Sequence, residues 1–387
     1  MELNDAVELT DGAPGGALEL TIAGDLILGA DEVREHLEPA SEVLSRTFAI
    51  GHLEWPHTDR GVVSSSDLPA PAAPLHNLDA IADAGFDVVT MAGNHIFDQG
   101  PAGIADSIQR LTARGVATTG AGADLAAARR PAVVTRDGVR VGVLSYNAVG
   151  PRESWATVSK AGAAYVRIHS HYELEMASPG SPPTEYTFID PESLDAMFAD
   201  IAAAREQVDV LVVVFHKGMV FVRAELASYE KPLAHAAVEA GADIVASHHA
   251  HILRGVEIYR GKPVFHGLNH FVAAYPETAV PTSASSVARS RPTRSPIFKL
   301  VDPDRTVPRF PFSRESRLTM LGSVRVTAAG VVDAGFYPAW IDDSGITRVH
   351  GDDPNGREVV EYMRQIGAEA GLVSDIEFDG ARAVFLR

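Results

Sequence analysis

Cysteine is missing altogether from the 387 residues. That absence removes disulfides, thiolate metal ligands and a cysteine nucleophile, and leaves His, Asp, Glu and Asn as the side chains able to hold a metal. Long apolar runs are missing too: nothing approaches the roughly 18 to 20 residues that cross a bilayer. The opening MELNDAVELTDGAPGG is acidic where a secretory signal would be basic and then apolar, so a cytoplasmic protein is expected. Positive charge is scarce, with 33 Lys and Arg against 51 Asp and Glu and a formal net charge of −18, which argues against a nucleic-acid or anionic-membrane partner. No Gly-rich phosphate loop of the P-loop or dinucleotide type is found, which weakens a nucleotide-binding reading. Internal repeats and low-complexity tracts of any weight are also lacking.

What is present is a hydrophobic fraction of 46%, ample for one large core or two moderate ones in a globular α/β protein. After an untidy leader over residues 1–16, ALELTIA (17–23) reads as a first strand. Three helix-strand units follow: helical spacing from Leu75 to Ala84 before FDVVTMA (86–92), a helix near 191–206 before VDVLVVVFH (208–216), and one near 231–240 before ADIVASHH (242–249). Hairpins are expected at Asp137-Gly138 and Arg260-Gly261. A long Pro-, Ser- and Arg-rich loop from Pro276, then two strands in SVRVTAAGVVDAGFYPAW and a last helix over Gly356 to Ala370, complete the reading.

The strands of the three units deliver His95, His216 and His249 at or just past their carboxyl ends, where ligands of open α/β sheets bind. Ser247-His248-His249-Ala250-His251 is the strongest local feature, since a His-x-His pair leaving a strand puts two imidazoles close together. Gly24-Asp25 and Gly93-Asn94-His95 bring an acid, an amide and another imidazole to the same edge. Asn94 could equally serve a tight turn. Asp98, three residues after His95, is placed to accept from its ring and fix the tautomer, making His95 an acid or base in preference to a ligand. Glu54 could bridge two ions with its two oxygens. Arg289, Arg291, Arg294, Lys299, Arg305, Arg309, Arg314 and Arg317 stand against Asp302, Asp304 and Glu315, a basic segment that reads as a solvated loop or as a lid over an anionic substrate.

Taken in order, GD (24–25), GHLEWPHTDRG (51–61), AGFDVVTMAGNHIFDQG (84–100), VVVFHKG (212–218) and AGADIVASHHAHILRGVEIYRGKPVFHGLNHF (240–271) resemble the CapA family of bacterial capsule and poly-γ-glutamate synthesis proteins, over roughly residues 18–345. The resemblance implies a four-layer α/β/β/α sandwich similar to the calcineurin-like metallophosphoesterases, with one or two divalent ions (Mn, Zn, Fe or Co). It implies Asp25, Glu54, Asn94, His216, His249 and His251 as ligands, His95 and Asp98 as the catalytic pair, one domain over 17–345 with a long basic loop or lid at 276–318, and a C-terminal extension (346–387) packed on it. The chain departs from the family pattern in several blocks. Asp25-Leu26-Ile27 lacks the histidine that ordinary calcineurin-like enzymes carry two residues after the aspartate, which predicts a weaker hold on one metal position. His52-Leu53-Glu54 stands for Asn-Leu-Glu, His216-Lys217-Gly218 for His-Trp-Gly, and Gly267-Leu268-Asn269-His270-Phe271 for Ser-Leu-Gly-Asn-Phe. His52, Lys217, Asn269 and His270 are therefore candidate ligands or substrate contacts.

The expectation is a metal-dependent hydrolase acting with metal-activated water on a small anionic substrate, a phosphoester first. The alternatives are an amide or ester hydrolase of γ-glutamyl type in the same site, or a non-catalytic protein supporting capsule biosynthesis.

Overall fold

A computed structural model describes residues 7–9, 16–65, 69–276, 310 and 312–386, with positions 175, 178 and 182 excepted. The architecture is a mixed α/β sandwich of two facing sheets with helices on both outer sides. Among the described residues, one sheet has seven strands and the other ten. The centre of the first is Val139–Asn147, Val210–His216, Ile244–His248 and Lys262–Phe265, side by side and parallel. At the heart of the second sheet His270–Ala274, Leu18–Leu28, Phe48–Leu53, Val88–Thr90 and Ala117–Thr119 run parallel. Leu318–Thr327 and Gly330–Ile341 extend that sheet antiparallel on the far side of Leu18–Leu28.

Strand periodicity explains the layering. In Val210–His216 alternate residues Val210, Val212 and Val214 enter the core between the sheets, joining Leu20, Ile22, Phe48, Ile50 and Val88 from the opposite sheet. Leu211, Val213 and Phe215 face the other way, against Met197 and Ile201 of the helix Pro191–Arg205 and Leu233 and Ala237 of the helix Glu230–Ala240. The outer face of the second sheet is covered likewise by Leu78 and Ile81 of Leu78–Ala84 and by Ile104 and Leu111 of Gly100–Ala113. The long C-terminal helix Pro354–Ala370 sends Val359, Val360, Met363 and Ile366 into the inter-sheet core.

Local chemistry sets the element ends. Asp190 and Asp353 cap their helices by accepting backbone N–H groups of Ser193 and of Asn355 and Gly356, each with proline entering the first turn. Both expected hairpins form, and in each two successive residues take positive φ, Asp137 (51°) with Gly138 (77°) and Arg260 (50°) with Gly261 (78°), as tight two-residue hairpin turns require. The hairpins Ile168–Glu173 with Thr184–Ile189 and Ile376–Asp379 with Arg382–Phe385 add strands that the sequence reading lacks. So does a three-residue strand, Val7–Leu9, within the stretch expected to be a leader; it pairs with Ala132–Arg136. No helix among the described residues is long and apolar enough to cross a membrane.

Candidate metal centre

The same alternation that builds the core carries the polar groups to one place. Continuing the Val210, Val212, Val214 series puts His216 between the sheets, and continuing Ile244 and Ala246 does the same for His248. On the facing sheet Phe48 and Ile50 are followed on the same side by His52. A register shift between Ile22 and Asp25 exchanges the faces of the first strand, so that Leu26 and Leu28 join the helix-side core and Asp25 turns inward. Parallel strands of both sheets thus end on one shared edge, and His52, Asp25 and His270 lie in register across three of them.

The ligand-bearing atoms converge and lack partners. One atom each from Asp25, His52, Glu54 and His216 lies within 4.8 Å of the others, as does one each from Asp25, His251 and His270. Glu54 Oε2 is 3.6 Å from His52 Nε2 and 3.7 Å from His216 Nε2. His251 Nδ1 is 3.4 Å from Asp25 Oδ2. His216 Nε2 also lies 2.8 Å from Asn94 Oδ1 and 3.1 Å from His249 Nδ1. Both oxygens of Asp25, Oε2 of Glu54, Nε2 of His52, Nδ1 of His251 and both nitrogens of His270 are buried with no hydrogen-bond partner. Buried polar atoms of native proteins are nearly always paired, so this concentration of orphans has the chemistry of a cation site. His52 is oriented for the role: its Nδ1 is 2.9 Å from Thr90 Oγ1, whose hydroxyl can donate in turn to Gly51 O, leaving the Nε2 lone pair toward Glu54.

Electrostatics agree with the donor set. Burial drives the His249 imidazole down to about 3, and it holds His216 and His270 well below their ordinary value, which keeps them neutral and able to ligate. Burial, and then the charge of Glu54, pushes Asp25 up. Burial works the same way on Glu54, but His216, His52 and His251 outweigh it and hold that carboxyl well below the usual range. His249 and His251 both sit at positive φ, 86° and 54°, conformations that side-chain-bearing residues adopt where the fold enforces them, often at functional sites.

The model of the bacterial capsule synthesis protein PGA_cap matches residues 19–275, a span that holds every residue of the two clusters. The chain belongs to that family. Relatives include a "probable polyglutamine synthesis accessory protein" of Mycobacterium tuberculosis, 32% identical over 51% of this chain and 48% of that one. Another is the PGA biosynthesis protein CapA of Bacillus subtilis, 26% identical over 63% of this chain and 57% of that one. The chain spans about half the length of the curated relatives it matches. Among solved structures it is similar to the calcineurin-like phosphoesterase YfkN of B. subtilis, with TM-score 0.40 and 11% identity over 92% of this chain and 98% of that one.

Within this PGA_cap fold the sequence-derived residues fall into distinct places. Asp25, His52, Glu54, His216, His251 and His270 form the two clusters. Asn94 and His249 adjoin them through His216 Nε2. His95 lies at the rim, its side chain 23% exposed, with Nδ1 2.6 Å from Asp98 Oδ2; its charge is felt by both Glu54 and His249. Asp98 is buried and also accepts from Ala70 N at 2.7 Å. Asn269 braces the site: its Nδ2 donates to Ser316 O and Leu318 O, and its carbonyl accepts from Asp25 N. That backbone approach leaves no room for a side chain at position 24, where a Cβ would stand 2.2 Å from Asn269 O.

Lys217 is placed otherwise than as a ligand or substrate contact. Its ammonium is fully buried against Glu230 at 2.8 Å, with Arg254 on the same carboxylate at 3.4 Å. Within the basic segment, Arg289, Arg291, Arg294, Lys299, Arg305 and Arg309 lie outside the described residues, while Arg314 and Arg317 are engaged with Glu358 and Asp343 and flank the Trp340 ring. Among the residues at the site that were not singled out from sequence are His248 and Phe312. His248 stacks on His52 with ring centroids 4.7 Å apart and is fixed by Ala23 O at 2.9 Å, a place that strand parity alone would have given. Phe312 stacks on His270 at 4.7 Å and had no such signal.

Proposed function

We propose that this chain is a metal-dependent hydrolase acting on a small anionic substrate, with a phosphoester as the favoured bond. The observation that carries the proposal is the convergence of buried atoms of Asp25, His52, Glu54 and His216 at the shared sheet edge, those of Asp25, Glu54 Oε2 and His52 Nε2 without hydrogen-bond partners. In this reading Asp25, Glu54, Asn94, His216, His249 and His251, joined by His52, hold one or two divalent ions of the Mn, Zn, Fe or Co type, which nitrogen and oxygen donors suit. Bound there, such an ion supplies an acidified water and a Lewis-acid grip on the substrate oxygen.

The chain's own residues supply the rest. His95, with its Nδ1–H held by Asp98, delivers the proton on its other ring nitrogen to the leaving oxygen. Its partly exposed position at the rim lets it reach, from the solvent side, a substrate that the ion would hold. The net charge of −18 favours a small anion over a long polyanion, which the rest of the surface would repel. A cytoplasmic setting belongs to the same proposal and is checked by cell fractionation.

A second reading has its own support, namely the family's description as capsule synthesis proteins. There the site cleaves a γ-glutamyl amide or ester, or binds without turnover in support of polymer assembly.

The deciding experiment measures metal per chain by plasma mass spectrometry on protein purified without chelator, followed by a hydrolysis screen of phosphoesters and γ-glutamyl amides with that metal. Retained metal with turnover that disappears in His95→Ala supports the hydrolase. Metal-free protein that stays so after incubation with Mn and Zn sinks it, and a metal-loaded protein inert toward both substrate classes moves the assignment to the binding reading.

A further inference from the structure

Asp25 stands between two imidazoles on neighbouring strands. His52 is its register partner on Phe48–Leu53 and His270 its register partner on His270–Ala274. His270 is fully buried, yet neither ring nitrogen has a hydrogen-bond partner. It packs against two rings, His251 at 4.3 Å and Phe312 at 4.7 Å, with interplanar angles of 11° and 21°, and those two rings lie 5.9 Å from each other. For stacking alone a phenyl ring would serve as well, without two polar atoms shut away from water. The imidazole therefore has another use, and its neighbours suggest which. Both oxygens of Asp25 and Nδ1 of His251 are orphaned as well, and one atom from each of the three residues lies within 4.8 Å of the others.

We infer that His270 is a metal ligand, closing with Asp25 and His251 a cation position of its own beside that of His52, Glu54 and His216, with Asp25 common to both. This rests on reading the site as a metal centre. The sheet geometry makes the position rigid: the parallel pairing of His270–Ala274 with Leu18–Leu28 fixes the ring's origin, Thr319 Oγ1 donates to His270 O at 2.6 Å, and the Phe312 ring packs on the imidazole. Two imidazoles and one carboxylate favour a borderline ion such as Zn or Co over Mg, which prefers an all-oxygen shell.

The test loads chelator-stripped protein with Co(II), counts bound ions after desalting, and follows the titration by the cobalt visible spectrum and by calorimetry. His270→Phe keeps the stack on Phe312 and removes the donor; His270→Gln serves where the phenyl variant does not fold, and circular dichroism establishes folding of each. Wild type binding two ions and the variants one, or two with the weaker of them lowered at least tenfold, is the expected result. Equal stoichiometry and equal affinities in wild type and folded variants overturn the inference and leave the hydrolase reading intact. Wild type that binds no cobalt overturns the metal-centre reading itself.

Discussion

Asp98 Oδ2 sits 2.6 Å from His95 Nδ1 and at the same time accepts the backbone N–H of Ala70 at 2.7 Å, so the carboxylate that orients the rim histidine is itself held in place. Such a pairing fixes which nitrogen faces outward. His95→Ala is expected to lower kcat by about 100-fold to 10,000-fold, the range for losing a general acid. Asp98→Asn should cost less, roughly 10-fold to 100-fold, as loss of an orienting partner does. Both variants should keep wild-type metal content, because neither residue belongs to the buried clusters. Loss of metal in either would place that residue among the ligands instead.

Asp25 gives a prediction of opposite sign in two states of the protein. Without metal, its fully buried carboxyl has no hydrogen-bond partner on either oxygen, and burial pushes its proton affinity up. Asp25→Asn removes a buried charge and should raise the melting temperature measured in chelator. With metal the order reverses. A ligand that binds only the folded state stabilises by about 2.7 kcal/mol at a hundred times its Kd, and the variant forfeits that gain. Paired melts with and without chelator check both halves, and a variant destabilised equally in the two conditions would show that Asp25 serves the fold alone.

Much of this was legible in the sequence, for physical reasons that single out what was not. Buried parallel strands are runs of β-branched and aliphatic residues with turn signals at their ends, so Val210–His216 and Ile244–His248 could be located, and with them His216 and the histidines just past the second strand, His249 and His251. His52 was ambiguous because its inward direction depends on which face of Phe48–Leu53 meets the other sheet, a matter of three-dimensional packing. His270 depended on one pairing between strands separated by more than 200 residues, and no local pattern encodes that. The weak alternation of Ile168–Glu173 and Thr184–Ile189, whose residues are largely exposed, gave no amphipathic signal for their hairpin. Lys217 was misleading for the opposite reason: its neighbour His216 points into the site, and the next residue along a strand end points away, toward Glu230.

The buried Lys217, Glu230 and Arg254 group makes an ordering testable. Glu230 neutralises two cations, both fully buried, whereas Lys217 is one of two partners of Glu230. Its carboxyl is held at about 2, burial pushing it up while Lys217 and Arg254 pull it down further. Glu230→Ala strands two charges and should cost about 3 to 5 kcal/mol, the range for breaking a buried pair from one side. Lys217→Met leaves Arg254 to hold the carboxylate and replaces the stem with an apolar chain of similar length, so it should cost clearly less. Urea denaturation measures both, and equal losses would mean that Arg254 contributes nothing to the carboxylate.

Histidine burial sets the response of the metal-free protein to acid. Burial holds His57 and His266 down to about 4 and His248 and His249 down to about 3, and it lowers His36, His216 and His270 as well. In the unfolded chain these rings return to about 6.5. Below that pH the unfolded state takes up protons that the folded state refuses, so stability is complete above about 6.5 and is lost as pH falls toward 4 and below. Asp25 and Asp87 are raised by burial and act in the other sense, but seven imidazoles outnumber two carboxyls. The urea midpoint in chelator should therefore drop between pH 7.5 and 5.5, above the range in which ordinary carboxylates titrate. A midpoint that holds or rises over that interval would mean that these imidazoles accept protons in the folded protein, and so that the cluster stands open to water in the absence of metal.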